Sequence, residues 1–346
     1  GRMEAREQEG RLTAGGKSKS NSIRVQIASD LHLEFYEELP DLAEILKPAA
    51  PILALLGDIC ALGKPPAKRD IYEDFLKKCT SQWETVIVLA GNHEYYSGQE
   101  HRCTVQEVNH YLRGLCERVG ATFLQDDSIV CGNVRVCGGT LWTYIPKEQT
   151  VQVSKSTECV EYKLNDFRVC FTEKEKEEKK EEEDREEKDE GGTRLRKEER
   201  AKPEGKSDEK KTTKKEARPI EVSDTNMWHR KTVEVIQEAI GEARREKQNL
   251  LVLTHHSPTF QNLSNKQRPG KEYMKYSASS DLEHMFRGVH TWCHGHTHFN
   301  SRKKIRGTYV TSNQRGYKWE PSKNYACEYV VEVPGVRQEE RGCILI

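Results

Sequence analysis

TVIVLAGNHE, running from Thr85 to Glu94, carries a continuous apolar run straight into a glycine and three polar side chains. Such a run, closed by a turn residue, predicts a strand buried on both faces. The pattern recurs along the chain. ILALL (52–56) leads into Gly57-Asp58, and Ile23, Val25 and Ile27 alternate in a strand ending at Ser29-Asp30. LLVLT (250–254) ends at His255-His256, and a strand around Val289–Cys293 ends at His294-Gly295-His296-Thr297-His298. Helical spacing fills the gaps between these strands. A short helix is expected near Pro40–Leu46, and Ile71, Phe75 and Cys79 mark another at i, i+4, i+8. Val105, Val108, Leu112, Leu115 and Val119 share a face closed by Gly120, and Val233, Ile236 and Ile240 line a further helix. Short strands take over around 121–142, with a tight hairpin turn at Cys131–Val134, and 308–311 and 328–333 read as closing strands. Strands alternating with helices predict an α/β fold.

A chain of 346 residues accommodates one large domain or two small ones. Its 56 basic and 56 acidic residues cancel, but they are unevenly spread. Residues 173–217 hold 18 acidic and 16 basic groups, which leaves an ordinary charge density elsewhere. Such a segment has too little apolar surface to fold alone. The expected organisation is a disordered tail over 1–21, a single domain over 22–171 and 219–334, a charged low-complexity insertion over 172–218, and a tail over 335–346. With no basic stripe, general nucleic-acid binding is not expected. No apolar run of membrane-spanning length or secretory h-region is present, and the eleven cysteines form no C-x-x-C pair. These features point to a cytoplasmic protein with reduced thiols.

Five strand ends thus present polar residues: Asp30 and His32, Asp58, Asn92-His93-Glu94, His255-His256, and His296 with His298. In α/β sheets ligands gather beyond the carboxyl ends of strands, so these segments can converge across the sequence. Carboxylate and amide oxygens mixed with imidazoles suit a pair of divalent ions such as manganese, iron or zinc. Asp30 and His32, two apart, share a face and can hold the same ion. His296 and His298 have the same spacing, and with a bend each can serve one of two adjacent ions. Asp58, short and accessible at a Gly-Asp turn, has what a bridging ligand requires.

In this order, D-x-H, G-D, G-N-H-E, T-H-H and G-H-T-H resemble the calcineurin-like metallophosphoesterases, over roughly residues 22–333 apart from the insertion. Asn313-Gln-Arg-Gly-Tyr317 resembles an N-P-R-G-Y segment of one branch, with Gln314 in place of proline, which predicts a local loop change without lost chemistry. Asn165-Asp166-Phe167 and Ser280-Asp281-Leu282 are similar to further segments of that branch. The resemblance implies a four-layer α/β sandwich of two central mixed β-sheets flanked by helices. It also implies one metal held by Asp30, His32 and His298, a second by Asn92, His255 and His296, and Asp58 bridging them. Neighbouring strand residues point to opposite faces, so one of His255 and His256 is expected to ligate; the T-H pattern favours His255.

The implied activity is metal-dependent hydrolysis of phosphate mono- or diesters. Two ions ~3.5–4 Å apart would generate a bridging hydroxide and hold the phosphate oxygens. His93 would act as proton donor to the leaving group or, structurally, orient its ligand neighbour. Glu94 and Asp281 are candidates for supporting hydrogen bonds. Small-molecule or nucleotide phosphoesters are the expected substrates; a phosphoprotein phosphatase, or a scaffold with weak catalysis, is the alternative. The ending Cys343-Ile-Leu-Ile346 fits a prenylation box, and a prenylated Cys343 would give weak membrane association.

Overall fold

A computed structural model describes residues 22–63, 66–98, 102–147, 164–174, 216–262 and 275–335. The expectations for the N-terminal tail, most of the charged insertion and the Cys343 box lie outside the described residues. Strands β1 (Ile23–Ala28), β2 (Ile52–Leu56) and β3 (Thr85–Leu89) appear where the apolar runs place them, and β4 (Thr122–Phe123) follows. The hairpin strands β5 (Asp127–Cys131) and β6 (Val134–Gly139) turn at Gly132, whose φ is 59°. A small antiparallel pair, β7 (Phe171–Glu173) and β8 (Ala217–Pro219), reaches two residues into each end of the expected insertion. The chain continues through β9 (Asn249–Thr254), β10 (Thr291–His294), β11 (Arg302–Ile305) and β12 (Thr308–Ser312). A second small pair, β13 (Gly316–Tyr317) and β14 (Glu320–Pro321), precedes the last strand, β15 (Val330–Val333).

Two mixed sheets result. One has the order β15-β1-β2-β3-β4 and the other β11-β12-β10-β9-β6-β5. Within them β1, β2 and β3 are parallel, as are β6, β9, β10 and β12. The period-2 alternation of each strand sorts its side chains into three apolar layers. Val25, Ile27, Ala54, Leu56, Ile87 and Leu89 face the second sheet, where they meet Val134, Val136, Leu251 and Leu253. Leu53, Leu55, Val86 and Val88 face the other way, onto the short helix α1 (Leu42–Ile45) and helices α2 (Pro66–Thr80) and α3 (Val105–Val119). On the far side Ile236, Ala239 and Ala243 of helix Val222–Arg245 cover Leu250, Val252 and Trp292. The architecture is a helix–sheet–sheet–helix sandwich. Among the described residues no helix is long and apolar enough to cross a membrane.

Helix α3 shows how closely local signals set the boundaries. Thr104 and Glu107 form a reciprocal capping box at its start, and Gly120 closes it with φ 77°. Among the buried polar strand residues, one holds a whole cluster together. Gln26 in β1 is fully buried and ties the sheet to the chain around it. Its Nε2 donates to the carbonyls of Lys47 (2.9 Å) and Cys327 (2.7 Å), while its Oε1 accepts from Ala49 N and Trp83 Nε1. Leucine fills a similar volume but leaves these groups unpaired, each worth roughly 1–3 kcal/mol if it stays dry. Gln26→Leu is therefore expected to lower unfolding free energy by about 2–4 kcal/mol in chemical denaturation. A loss below about 0.5 kcal/mol would show that the cluster does not hold the sheet.

Candidate metal centre

Parallel strands end at one edge of their sheet, and face-to-face packing brings both edges together. The residues following β1, β2, β3, β9 and β10 meet there. Pointing side chains from a strand end back to a common centre requires sharp turns. Asp30, His32, Asp58, His296 and His298 adopt left-handed backbone, with φ of 55°, 49°, 54°, 68° and 48°. Gly91 allows the closest approach: a Cβ there would strike the Asp58 carboxylate and lie 2.7 Å from His255 Cε1.

Glu94 fixes the turns after β2 and β3. Its buried carboxylate accepts the backbone N–H groups of Gly91 (2.7 Å), Asp58 (2.9 Å) and Ile59 (2.8 Å). Burial first, and the Asp58 charge second, push its carboxyl up to about 7, against His255 and the backbone donors that favour the charged form. Asp281 plays no comparable part: its carboxylate faces the backbone N–H of Glu283 at 3.5 Å.

Among the described residues, side chains that could hold a metal ion form three groups, two of which lie within the expected ligand sets. Asp30, His32 and His298 make one, with the Nε2 atoms of the two imidazoles 3.1 Å apart and His298 Nε2 3.3 Å from Asp30 Oδ1. Asp58, His255 and His296 make the other, and Asn92 Oδ1 lies 3.0 Å from both His255 Nε2 and His296 Nδ1. Asp58 faces both clusters. Its Oδ1 is 3.3 Å from His255 Nε2 and its Oδ2 is 4.0 Å from His32 Nε2. His256 turns elsewhere: its Nδ1 meets the Thr140 carbonyl at 3.1 Å, and its ring packs 4.1 Å from that of His296. Burial, then the neighbouring His255, lowers its pKa to about 3, so it is a neutral packing residue.

The donor set suits divalent ions. His255 Nδ1 donates to the Leu56 carbonyl at 2.8 Å, and His32 Nδ1 faces Glu34 Oε1 at 3.2 Å, so each Nε2 presents its lone pair to its cluster. A backbone carbonyl or carboxylate behind an imidazole is the usual support of a metal-binding histidine. Both aspartates stay ionised despite complete burial. Burial raises their pKa, but His298 holds Asp30 at about 2, and His255 and His93 hold Asp58 well below the usual range. The same pairing outweighs burial at His255 and holds it at about 9; a divalent ion bound there would compete for that carboxylate and favour the neutral imidazole.

His93 belongs to the third group, with Glu34 and the His32 that it shares with the first. Its backbone N–H donates to Asp58 Oδ1 (2.8 Å), and its Nδ1 meets Glu34 Oε1 at 2.8 Å. Its Nε2 lies 4.0 Å from Asp58 Oδ2. Burial would depress its pKa, yet Asp58 and then Glu34 raise it to about 9. Asp58, Asn92, His93, His296 and His298 line one cavity of about 390 Å³.

Sequence reasoning missed several supporting residues. Glu34 joins His32 to His93, although it lies only two residues beyond His32 in a D-x-H-x-E spacing. Asp166, noticed only as part of a similar segment, accepts from Asn92 Nδ2 (2.9 Å) and Tyr96 OH (2.7 Å) and so orients the Asn92 amide. Gln314 replaces proline with a specific contact, accepting the His298 backbone N–H at 2.6 Å while its amide donates to Thr297 Oγ1 and the Phe299 carbonyl.

Comparison with known proteins agrees with this geometry. Residues 23–178 match the family of calcineurin-like phosphoesterases, a span that carries Asp30, His32, Asp58, Asn92 and His93. The uncharacterised protein L509 of Acanthamoeba polyphaga mimivirus is 25% identical over 312 residues, covering 86% of this chain and 92% of its own. The phosphopantetheinyl hydrolase PptH of Mycobacterium tuberculosis shares the fold, with a TM-score of 0.58 at 15% identity over 93% of this chain and 100% of the solved one. Residues 23–178 are thus similar to the calcineurin-like phosphoesterases, and the likeness to PptH shows a shared fold.

Proposed function

We infer that the protein hydrolyses small-molecule phosphate esters with a pair of divalent ions held between the two clusters. The observation that carries this reading is the Asp58 carboxylate, one oxygen turned to each cluster. Asp30, His32 and His298 would hold one ion, Asn92, His255 and His296 the other, and Asp58 both. Manganese is the first candidate, with iron or zinc as alternatives for the same mixed oxygen and nitrogen donors. When bound, such ions supply Lewis acidity toward phosphoryl oxygens and an activated water.

The remaining work falls to the chain itself. Asp166 and Tyr96 restrain the Asn92 amide, so its oxygen keeps facing His255 and His296. Glu34 holds His93 by Nδ1, which leaves Nε2–H free to reach the leaving-group oxygen. A protonated His93 donates that proton as the bond to phosphorus breaks, a role worth roughly 10²–10⁴ in rate. His93→Ala should thus cut turnover of generic mono- and diesters by about a hundredfold or more while the metal content per chain stays unchanged. Turnover that survives the substitution would exclude His93 as the proton donor.

The charge on Glu34 makes a second, pH-dependent prediction. Its carboxylate raises the pKa of His93, and activity that needs a protonated His93 falls as pH rises through that value. Glu34→Gln removes the charge and keeps the shape. The alkaline limb of the kcat/KM profile should therefore move to lower pH in the variant; an unmoved limb would mean that Glu34 does not act on the titrating group.

A further inference from the structure

Beside the metal-cluster cavity lies a second one of about 450 Å³, and the two share His93, Tyr96, Asn165 and Tyr317. Its lining is mainly aromatic and apolar. Phe35, Tyr317 and Trp319 form one contact group: Tyr317 and Trp319 stack at 5.0 Å with their planes 5° apart, and Phe35 meets Trp319 edge-on at 4.8 Å. Tyr96, stacked on His93 at 4.1 Å, joins Val169 through the Ser97 backbone to make the other. Both groups meet at His93, the residue facing the leaving group. A substrate with its phosphate at the metal clusters therefore lays its leaving group along this groove.

Charge narrows what that group can be. Among the described residues neither cavity is lined by lysine or arginine, and the carboxylates of Asp58 and Asp166 line the metal-cluster cavity alone. Arg315 and Lys318, which flank the aromatic cluster in sequence, are turned away: Arg315 donates to Tyr36 OH and Lys318 to the Phe35 carbonyl. Among the described lining residues of the groove, a leaving group with a further phosphate or carboxylate finds no cationic partner. Flat aromatic walls instead favour a planar, uncharged ring, with Ser97 and Asn165 available for hydrogen bonds. Trp319 is 59% exposed, so one face of the aromatic group is open to solvent.

We propose that the physiological substrates are phosphate esters of an uncharged aromatic group, which stacks in the groove formed by Phe35, Tyr317 and Trp319. In the reaction water adds to phosphorus, the bond from phosphorus to the ester oxygen breaks, and that oxygen leaves with a proton. The proposal rests on the phosphoesterase reading above and adds the identity of the leaving group.

The test compares 1-naphthyl and hexafluoroisopropyl phosphate esters, whose leaving groups are of similar acidity, on the manganese-loaded full chain. For each enzyme the readout is the ratio of kcat/KM for the aryl ester to that for the alkyl ester. Trp319→Ala should lower this ratio roughly five- to tenfold, as expected for loss of one aromatic stack, and Trp319→Phe should keep it within about twofold of wild type. An unchanged ratio in Trp319→Ala, with wild type active on both esters, would overturn the proposal and leave the phosphoesterase reading standing. A wild-type protein inactive on both would remove that reading and the proposal with it.

Discussion

One buried carboxylate governs the geometry of the centre. Glu94 collects the backbone N–H groups of Gly91, Asp58 and Ile59, and so locks the turn after β2 to the turn after β3. Asp58 must hold one oxygen toward each cluster, and His93 must stand beside it. Both placements depend on those turns keeping their relative position. A side chain with a single acceptor oxygen would leave one of three buried donors poorly matched, which explains why this position carries a full carboxylate.

The turns themselves are strained. Five left-handed non-glycine residues at roughly 1–2 kcal/mol each amount to a cost comparable with the whole net stability of a domain. Only a well-packed scaffold can offset this. The sandwich provides it through three apolar layers, through the Gln26 cluster that pins β1, and through cross-links such as Gly295 N to the His255 carbonyl at 2.8 Å. Strain concentrated where side chains converge is a common mark of functional sites.

Much of this design can be read from the amino-acid sequence, because its main signals are local. Apolar runs such as ILALL and TVIVLA locate strands almost to the residue, and the polar residues just beyond them are the ones that converge. What escapes such a reading depends on distant partners. Glu34 matters because His93, 59 positions later, folds against it, and Asp166 matters because it reaches Asn92. Gln26 interrupts an apolar strand for groups contributed by Lys47, Ala49, Trp83 and Cys327. Strand alternation implies that one of His255 and His256 ligates and the T-H pattern favours His255, yet the packing of His256 on His296 emerges only in three dimensions. The aromatic groove is likewise assembled from segments far apart, with Phe35 near one end of the chain and Trp319 near the other.

The central claim is that the two clusters hold two divalent ions that are needed for hydrolysis. Elemental analysis of the full chain after manganese loading, with phosphoester turnover measured on the same sample before and after chelation, tests it most directly. Close to two ions per chain and turnover lost on chelation is the predicted result. A chain that retains no metal and stays inactive with added manganese would contradict it.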